Sequence, residues 1–254
     1  MNLILLEHAE VDAQGRAALQ DARATHALNV LTVDIGRTIR IGLIDGPIGT
    51  GIVAERAGNT IVLQCAFEAE PPPRPRIDLL LAVPRPKVMN RLWAQLAALG
   101  VGRIMLTNAE RVERPYFDTH VLEEAHYRPL LIEGLQQARD TRVPQVSIHR
   151  QFRILVEDEL DAMCPDTVRL AADPAASAPI GAALAAVGTA GRALLAIGPE
   201  GGWNEFELKM LKSRGFVAAG MGPRTLRSDT ACIALLALAH ERLAAALPVP
   251  RPRD

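Results

Sequence analysis

Lysine, aromatic residues and cysteine are all scarce in this chain. Only Lys87, Lys209 and Lys212 are lysines among 28 cations, and aromatics make up 4% of residues. The core must therefore be built from Leu, Ile, Val and Ala, which the 49% hydrophobic content supplies. An arginine excess favours bidentate contacts with phosphates and bases, though a GC-rich genome explains it more simply. Cys65, Cys164 and Cys232 are scattered without a CxxC pair. That spacing argues against a metal site or a disulfide framework and for a reducing compartment. No HxxxH or HExxH occurs among the six histidines, so no metal is expected. Missing too are GxGxxG after a strand, GxxxxGK[ST] and GxSxG, which disfavours dinucleotide, P-loop and serine-hydrolase chemistry. The opening Met1–Glu7 has no basic n-region, and no apolar run approaches membrane-spanning length. A cytoplasmic protein without membrane attachment is expected.

The formal net charge of -1 gives no global sign of a nucleic-acid partner. Its distribution is uneven. Residues 1–70 carry 5 Arg against 9 acids, whereas residues 71–254 carry 23 cations against 20 acids.

With 254 residues the chain can hold one large domain or two ordinary ones. Glu70-Pro-Pro-Pro-Arg-Pro-Arg76 resists helix and central strand, so residues 71–76 are expected to be a Pro-rich linker. Before it, a helix at Ala22–Val30 is followed by short strand patterns at 38–44, 49–54 and 59–64, with turn signals at Asp45-Gly46 and Gly58-Asn59. This predicts a small β-barrel over residues 1–70. Beyond the linker, strand and helix patterns alternate. Strands are expected at 77–83, 101–107, 168–172, 193–197 and 216–221. Helices are expected at 86–99, about 120–139, after Asn204 and at about 229–247. Asn204 with Glu207 three residues on is a capping-box arrangement. The alternation predicts an α/β domain over 77–254 with a mostly parallel sheet covered on both faces. The Pro/Arg tail 248–254 is expected to fray.

Two loops carry the chemistry. Ala193-Leu-Leu-Ala-Ile-Gly-Pro-Glu-Gly-Gly-Trp-Asn204 and Met221-Gly-Pro-Arg-Thr-Leu-Arg-Ser-Asp-Thr-Ala231 each join an apolar run to a helical pattern. One such loop is an ordinary strand-to-helix connection. Two, each at the carboxyl end of a predicted strand, point to a ligand crevice. Arg227 and Asp229 are equally consistent with a surface ion pair at a helix start.

The motifs GPEGG and GPRTLRSDTA resemble the two late motifs of the RsmE family. The resemblance runs over almost the whole chain and includes His26-Ala-Leu-Asn-Val-Leu31, Gly36-Arg-Thr-Ile39, Leu99-Gly100-Val101 and the Gln136-Gln137 to Arg142-Val143-Pro144 segment. Members of that family are S-adenosylmethionine-dependent methyltransferases acting on N3 of a uridine in small-subunit (16S) ribosomal RNA. The resemblance implies a SPOUT domain with a deep trefoil knot, a PUA-like N-terminal domain, and a homodimer to which the apolar last helix (Ile233, Leu235, Leu236, Leu238, Leu243) contributes. It also implies that the loops hold S-adenosylmethionine. This places Ala172, Ile197, Gly198, Pro199, Glu200, Gly201, Gly202, Met221, Gly222, Pro223, Leu226, Arg227 and Thr230 at the donor. Gln95 and Ala98 stand where the family usually has Lys and Glu, Asp140 where it has Arg, and Asp229 where it has Glu.

Methyl transfer to uracil N3 requires removal of a proton and stabilisation of the resulting charge. Arg227 is the expected charge stabiliser, with Asp229 or Glu200 as proton acceptor or as orienter of Arg227. RNA phosphates are expected on Arg74, Arg76, Arg85, Lys87 and Arg91 near the linker, on Arg139 and Arg142, and on Arg16 and Arg23 of the N-terminal domain. Each taken alone reads as a solvated surface cation. Two alternatives remain: the same chemistry on another ribosomal or transfer-RNA position, and a non-enzymatic RNA-binding relative.

Overall fold

The computed structural model describes residues 3–186, 191–222 and 224–245. It resolves into two compact units, residues 1–74 with 129–143, and residues 75–128 with 144–254. The boundary after Arg74 falls within the Pro-rich segment. The grouping of 129–143 with the N-terminal residues is a long-range pairing that no local pattern announces.

The first unit is a five-stranded sheet in the order β1-β3-β4-β5-β2. Its strands are β1 (Ile4–Leu6), β2 (Arg16–Leu19), β3 (Thr38–Leu43), β4 (Ile48–Ala57) and β5 (Thr60–Phe67). In β3, Ile39 and Ile41 alternate with exposed Thr38 and Arg40, as a half-buried strand requires. The inward residues join Ile4, Leu6, Leu19, Val53, Ile61 and Leu63 in one apolar cluster, closed by Ala24 and Ala27 of the Ala22–Asn29 helix. Asp21 caps that helix by accepting from the Arg23 N–H at 2.8 Å. The 129–143 segment is tied to this sheet through Thr141, whose hydroxyl donates to the Gly46 carbonyl at 2.6 Å. Gly49 lies where a Cβ would sit 2.1 Å from the Ala66 carbonyl oxygen and 2.8 Å from the Phe67 Cα. Both are backbone atoms of β5 and cannot rotate away. Gly49→Ala is expected to destabilise this unit by about 3 kcal/mol or more, measurable as a lowered urea midpoint.

The second unit is a six-stranded sheet in the order β11-β9-β10-β6-β7-β8, parallel at every pairing. Its strands are β6 (Ile77–Ala82), β7 (Val101–Thr107), β8 (Gln145–His149), β9 (Thr167–Ala172), β10 (Arg192–Ile197) and β11 (Val217–Ala219). β6 is buried along its whole length, as a central parallel strand covered on both faces must be. Its one acid, Asp78, is 1% exposed and accepts from Arg192 at 2.6 Å.

Several elements differ from the sequence expectation. The long helix begins at Glu124 rather than near His120, because Glu123 is extended and separates it from a 3-10 turn at His120–Leu122. β11 is shorter than 216–221, and β1, β2 and β8 have no counterpart among the expected strands. The last helix starts at Ser228 and is described to Ala245. Its expected end at Leu247 and the 248–254 tail lie outside the described residues. No helix among the described residues is long and apolar enough to cross a membrane.

His240, on the last helix, provides a pH probe of the second unit. Burial pushes its imidazole below the ordinary value of 6.5, outweighing the opposing influence of the nearby Leu99 and Gly100 backbone. A depressed histidine stays neutral when folded and takes up a proton on unfolding. Its contribution is fully present above about 6.5 and is lost as pH falls from there toward the folded value. His240→Gln is expected to flatten the fall in melting temperature between pH 7 and 5.

Candidate functional site

The carboxyl ends of β9, β10 and β11 open into a cavity of about 320 Å³. Parallel sheets leave their loops free at this edge, which is why crevices form there. Ala172 and Asp173 leave β9. Ile197, Gly198, Pro199, Glu200, Gly201 and Gly202 leave β10. Gly220, Met221 and Gly222 leave β11 and are followed by Arg224, Thr225 and Leu226. Ser228, Ala231 and Leu235 of the last helix and Leu208 of the Glu205–Ser213 helix close the far side. The two glycine-proline loops therefore face one another across one cavity. About 320 Å³ falls at the lower end of the range for small-molecule sites, roughly 300–1,000 Å³.

The β10 loop is held in place from several sides. Asn204 and Glu207 form the expected capping box, with the Glu207 N–H donating to Asn204 Oδ1 at 2.8 Å and the Asn204 N–H to Glu207 Oε2 at 2.7 Å. Trp203 is buried beside Phe152, ring centroids 5.3 Å apart. Arg111, exposed in the loop after β7, donates to the carbonyls of Gly201 and Gly202. At the surface Arg85 pairs with Glu200 at 3.1 Å.

Of the residues expected at the donor, Ala172, Ile197, Gly198, Pro199, Glu200, Gly201, Gly202, Met221, Gly222 and Leu226 line the cavity. Pro223 lies outside the described residues. Arg227 and Thr230 are absent from the lining. Arg227 lies between the lining residues Leu226 and Ser228, just before the helix, and Thr230 directly precedes the lining residue Ala231 in its first turn. Arg227 is exposed, and its side chain makes no ion pair or hydrogen bond among the described residues. Asp229 pairs with Arg91 at 2.9 Å rather than with Arg227, and also accepts from the Thr230 N–H at 2.9 Å. Burial alone would raise its carboxyl. The Thr230 N–H and the Arg91 guanidinium outweigh that and hold it below the usual carboxylate range. A carboxylate so held is a weak proton acceptor, and the structure gives Asp229 the work of anchoring Arg91 to the helix start.

The expected RNA contacts divide into three groups. Arg23 is committed inward, to Glu10, Asp21 and the Leu5 carbonyl. Arg76 donates to the carbonyls of Gly191 and Leu243, and Arg142 to those of Pro72 and Asp45. These three brace the fold. Arg16, Arg85 and Arg91 are in exposed ion pairs with Glu55, Glu200 and Asp229, which are weak and open to exchange for phosphate. Arg74, Lys87 and Arg139 are exposed. Asp140 accepts from the Thr141 and Arg142 N–H groups at 2.6 and 3.0 Å. It serves as a turn former following Arg139, whose φ is +59°. Sequence reasoning missed Asp173, Trp203, Ser228 and Arg111. Trp203 directly follows GPEGG and was within reach of it; Arg111 is 90 residues from its partners.

The family model of the RNA methyltransferase domain matches residues 70–240. A protein named ribosomal RNA small subunit methyltransferase E in Treponema pallidum is 30% identical, covering 99% of this chain and 96% of its own length. One of the same name in Mycobacterium bovis is 28% identical over 89% of this chain and 86% of its own. Among solved structures, a ribosomal RNA small subunit methyltransferase E from Neisseria gonorrhoeae bound to S-adenosyl methionine superposes with a TM-score of 0.74. It is 22% identical, and the match covers 95% of this chain and 97% of that one. At that identity it shows a shared fold.

Proposed function

Since this chain belongs to the RNA methyltransferase family, in the group of ribosomal RNA small subunit methyltransferases E, we propose that it methylates N3 of a uridine in 16S ribosomal RNA using S-adenosylmethionine. The observation that carries this is the single cavity between the GPEGG loop and the Met221–Leu226 loop. Its walls suit the donor. Ile197, Leu226 and Leu235 offer apolar surface to an adenine or a thioether arm, loop backbone can bond polar edges, and the carboxylates of Glu200 and Asp173 suit a cationic ligand. When bound there, the donor supplies a methyl group on a sulfonium, open to in-line displacement.

The chain's own residues do the rest. The loops orient the reacting partners and keep water out. Arg227, at the rim and not occupied by another side chain among the described residues, faces the incoming nucleotide. It stabilises charge developing on the uracil carbonyl oxygens. Glu200, which reaches both the cavity and the surface, is the better-placed acceptor for the N3 proton. Asp229 positions Arg91. Arg74, Lys87 and Arg139, with the exchangeable Arg16, Arg85 and Arg91, meet RNA phosphates.

The finer fold follows the same reading. The parallel sheet is a SPOUT domain spanning 77–254 whose C-terminal segment forms a deep trefoil knot. Residues 1–70 are a PUA-like RNA-binding barrel joined by the 71–76 linker. The protein works in the cytoplasm as a homodimer, supported by the exposure of Ile233 and Leu238 on the last helix while Leu235, Leu236 and Leu243 are buried.

Incubation with donor labelled in the methyl group tests this. Label entering small-subunit particles or their RNA, and not transfer RNA, is expected. Label in transfer RNA alone would favour the other target. A protein that binds RNA but takes up no donor would be a non-enzymatic relative.

A further inference from the structure

Glu207 does more than cap its helix. It is 4% exposed, and both carboxyl oxygens are engaged: Oε2 by the Asn204 N–H and Oε1 by the Glu110 N–H, each at 2.7 Å. The second bond is not part of a capping box. It reaches 97 residues back in sequence, to the loop that follows β7. The neighbouring Arg111 returns the contact from the outside, its guanidinium donating to the Gly201 and Gly202 carbonyls. A Cβ on Gly201 would sit 2.7 Å from the Arg111 Cδ, so the side chain lies directly on the loop. The 110–111 turn thus grips the glycine loop by two points, one buried and one exposed.

We propose that Glu207 and Arg111 form a latch that holds the Gly201–Asn204 segment in its ligand-binding shape, with Glu207 as a positioning residue for the donor. This rests on the reading of the cavity as an S-adenosylmethionine site. Glycine-rich backbone is costly to order because it has the most conformational freedom to lose. A loop fixed before the ligand arrives spares the ligand that cost. Only a carboxylate suits the buried point. An amide in its place has one accepting oxygen and an NH₂ that would face a backbone N–H.

Four full-length proteins separate a latch from an ordinary cap: wild type, Glu207→Gln, Asn204→Ala and Arg111→Gln. Asn204→Ala removes the side-chain half of the capping box and leaves the Glu110–Glu207 bond. Each protein is titrated with S-adenosylmethionine by calorimetry and melted without it. Glu207→Gln is expected to raise the donor Kd about tenfold, from the mismatched buried N–H. Asn204→Ala is expected to lower the melting temperature comparably while leaving Kd within about twofold. Arg111→Gln, a surface change, is expected to raise Kd about threefold with little change in melting. Amide exchange at Glu110 is expected to quicken in Glu207→Gln and not in Asn204→Ala. Donor affinities that track melting temperature across the variants would overturn the latch. So would wild-type affinity in Arg111→Gln, a result available even where Glu207→Gln fails to fold. A wild-type chain that takes up no donor would overturn the reading of the cavity itself, a separate result from any of these.

Discussion

Arg227→Ala is expected to slow single-turnover methyl transfer about 100- to 1,000-fold, the usual effect of removing one preorganised charge stabiliser. Donor affinity is expected to stay within about twofold. The split follows from where the residue lies. Leu226 and Ser228 line the cavity and Arg227 between them does not. The residue is exposed, and Asp229, the expected partner, is taken by Arg91. Such a residue contributes little to holding the donor and is open to the second substrate. Arg227→Lys keeps the charge but loses the planar fork, and is expected to recover only part of the rate. Near-normal turnover in Arg227→Ala would remove the residue from the chemistry. An equal loss in donor binding would move it into the donor site.

Gly220→Ala is expected to weaken donor binding more than tenfold. Gly220 directly follows β11 at the cavity wall, and a Cβ there would lie 2.9 Å from the Asp173 carbonyl oxygen and 3.3 Å from that of Ala176. Backbone, not a flexible side chain, would have to move. The opposite side cannot yield, because the Gly220 N–H donates to the Ala178 carbonyl at 3.0 Å and its own carbonyl accepts from the Ile180 N–H at 3.1 Å. Overpacking of this kind costs about 1–3 kcal/mol. Here it falls on the 173–176 turn, whose Asp173 and Pro174 line the cavity. Calorimetric titration alongside a melting curve checks it. Unchanged affinity would mean that this wall does not touch the donor.

The loops were legible because their signal is local. Gly and Pro at strand ends, Asn204 and Glu207 three apart, and the buried run at β6 are each set by short-range chemistry. What was not legible depends on partners distant in the chain. Arg23 reads as a free cation until Glu10 is brought onto it. Arg76 and Arg142 look like linker and loop charges until their guanidinium groups meet backbone carbonyls. Asp229 next to Arg227 suggests a pair, yet Arg227 stays outside the helix that begins at Ser228 and Arg91 arrives from 138 residues away. β8 escaped because Gln145–His149 sits at the sheet edge, where exposed and half-buried residues mix and no apolar run marks it.

The most direct measurement is mass-spectrometric mapping of 16S ribosomal RNA from cells with and without the gene, followed by restoration with purified protein and S-adenosylmethionine. One uridine methylated at N3 is expected to be present in the first, absent in the second, and regained on restoration. Identical methylation in both RNAs, or a lost methyl group on a different base or in transfer RNA, would contradict the account.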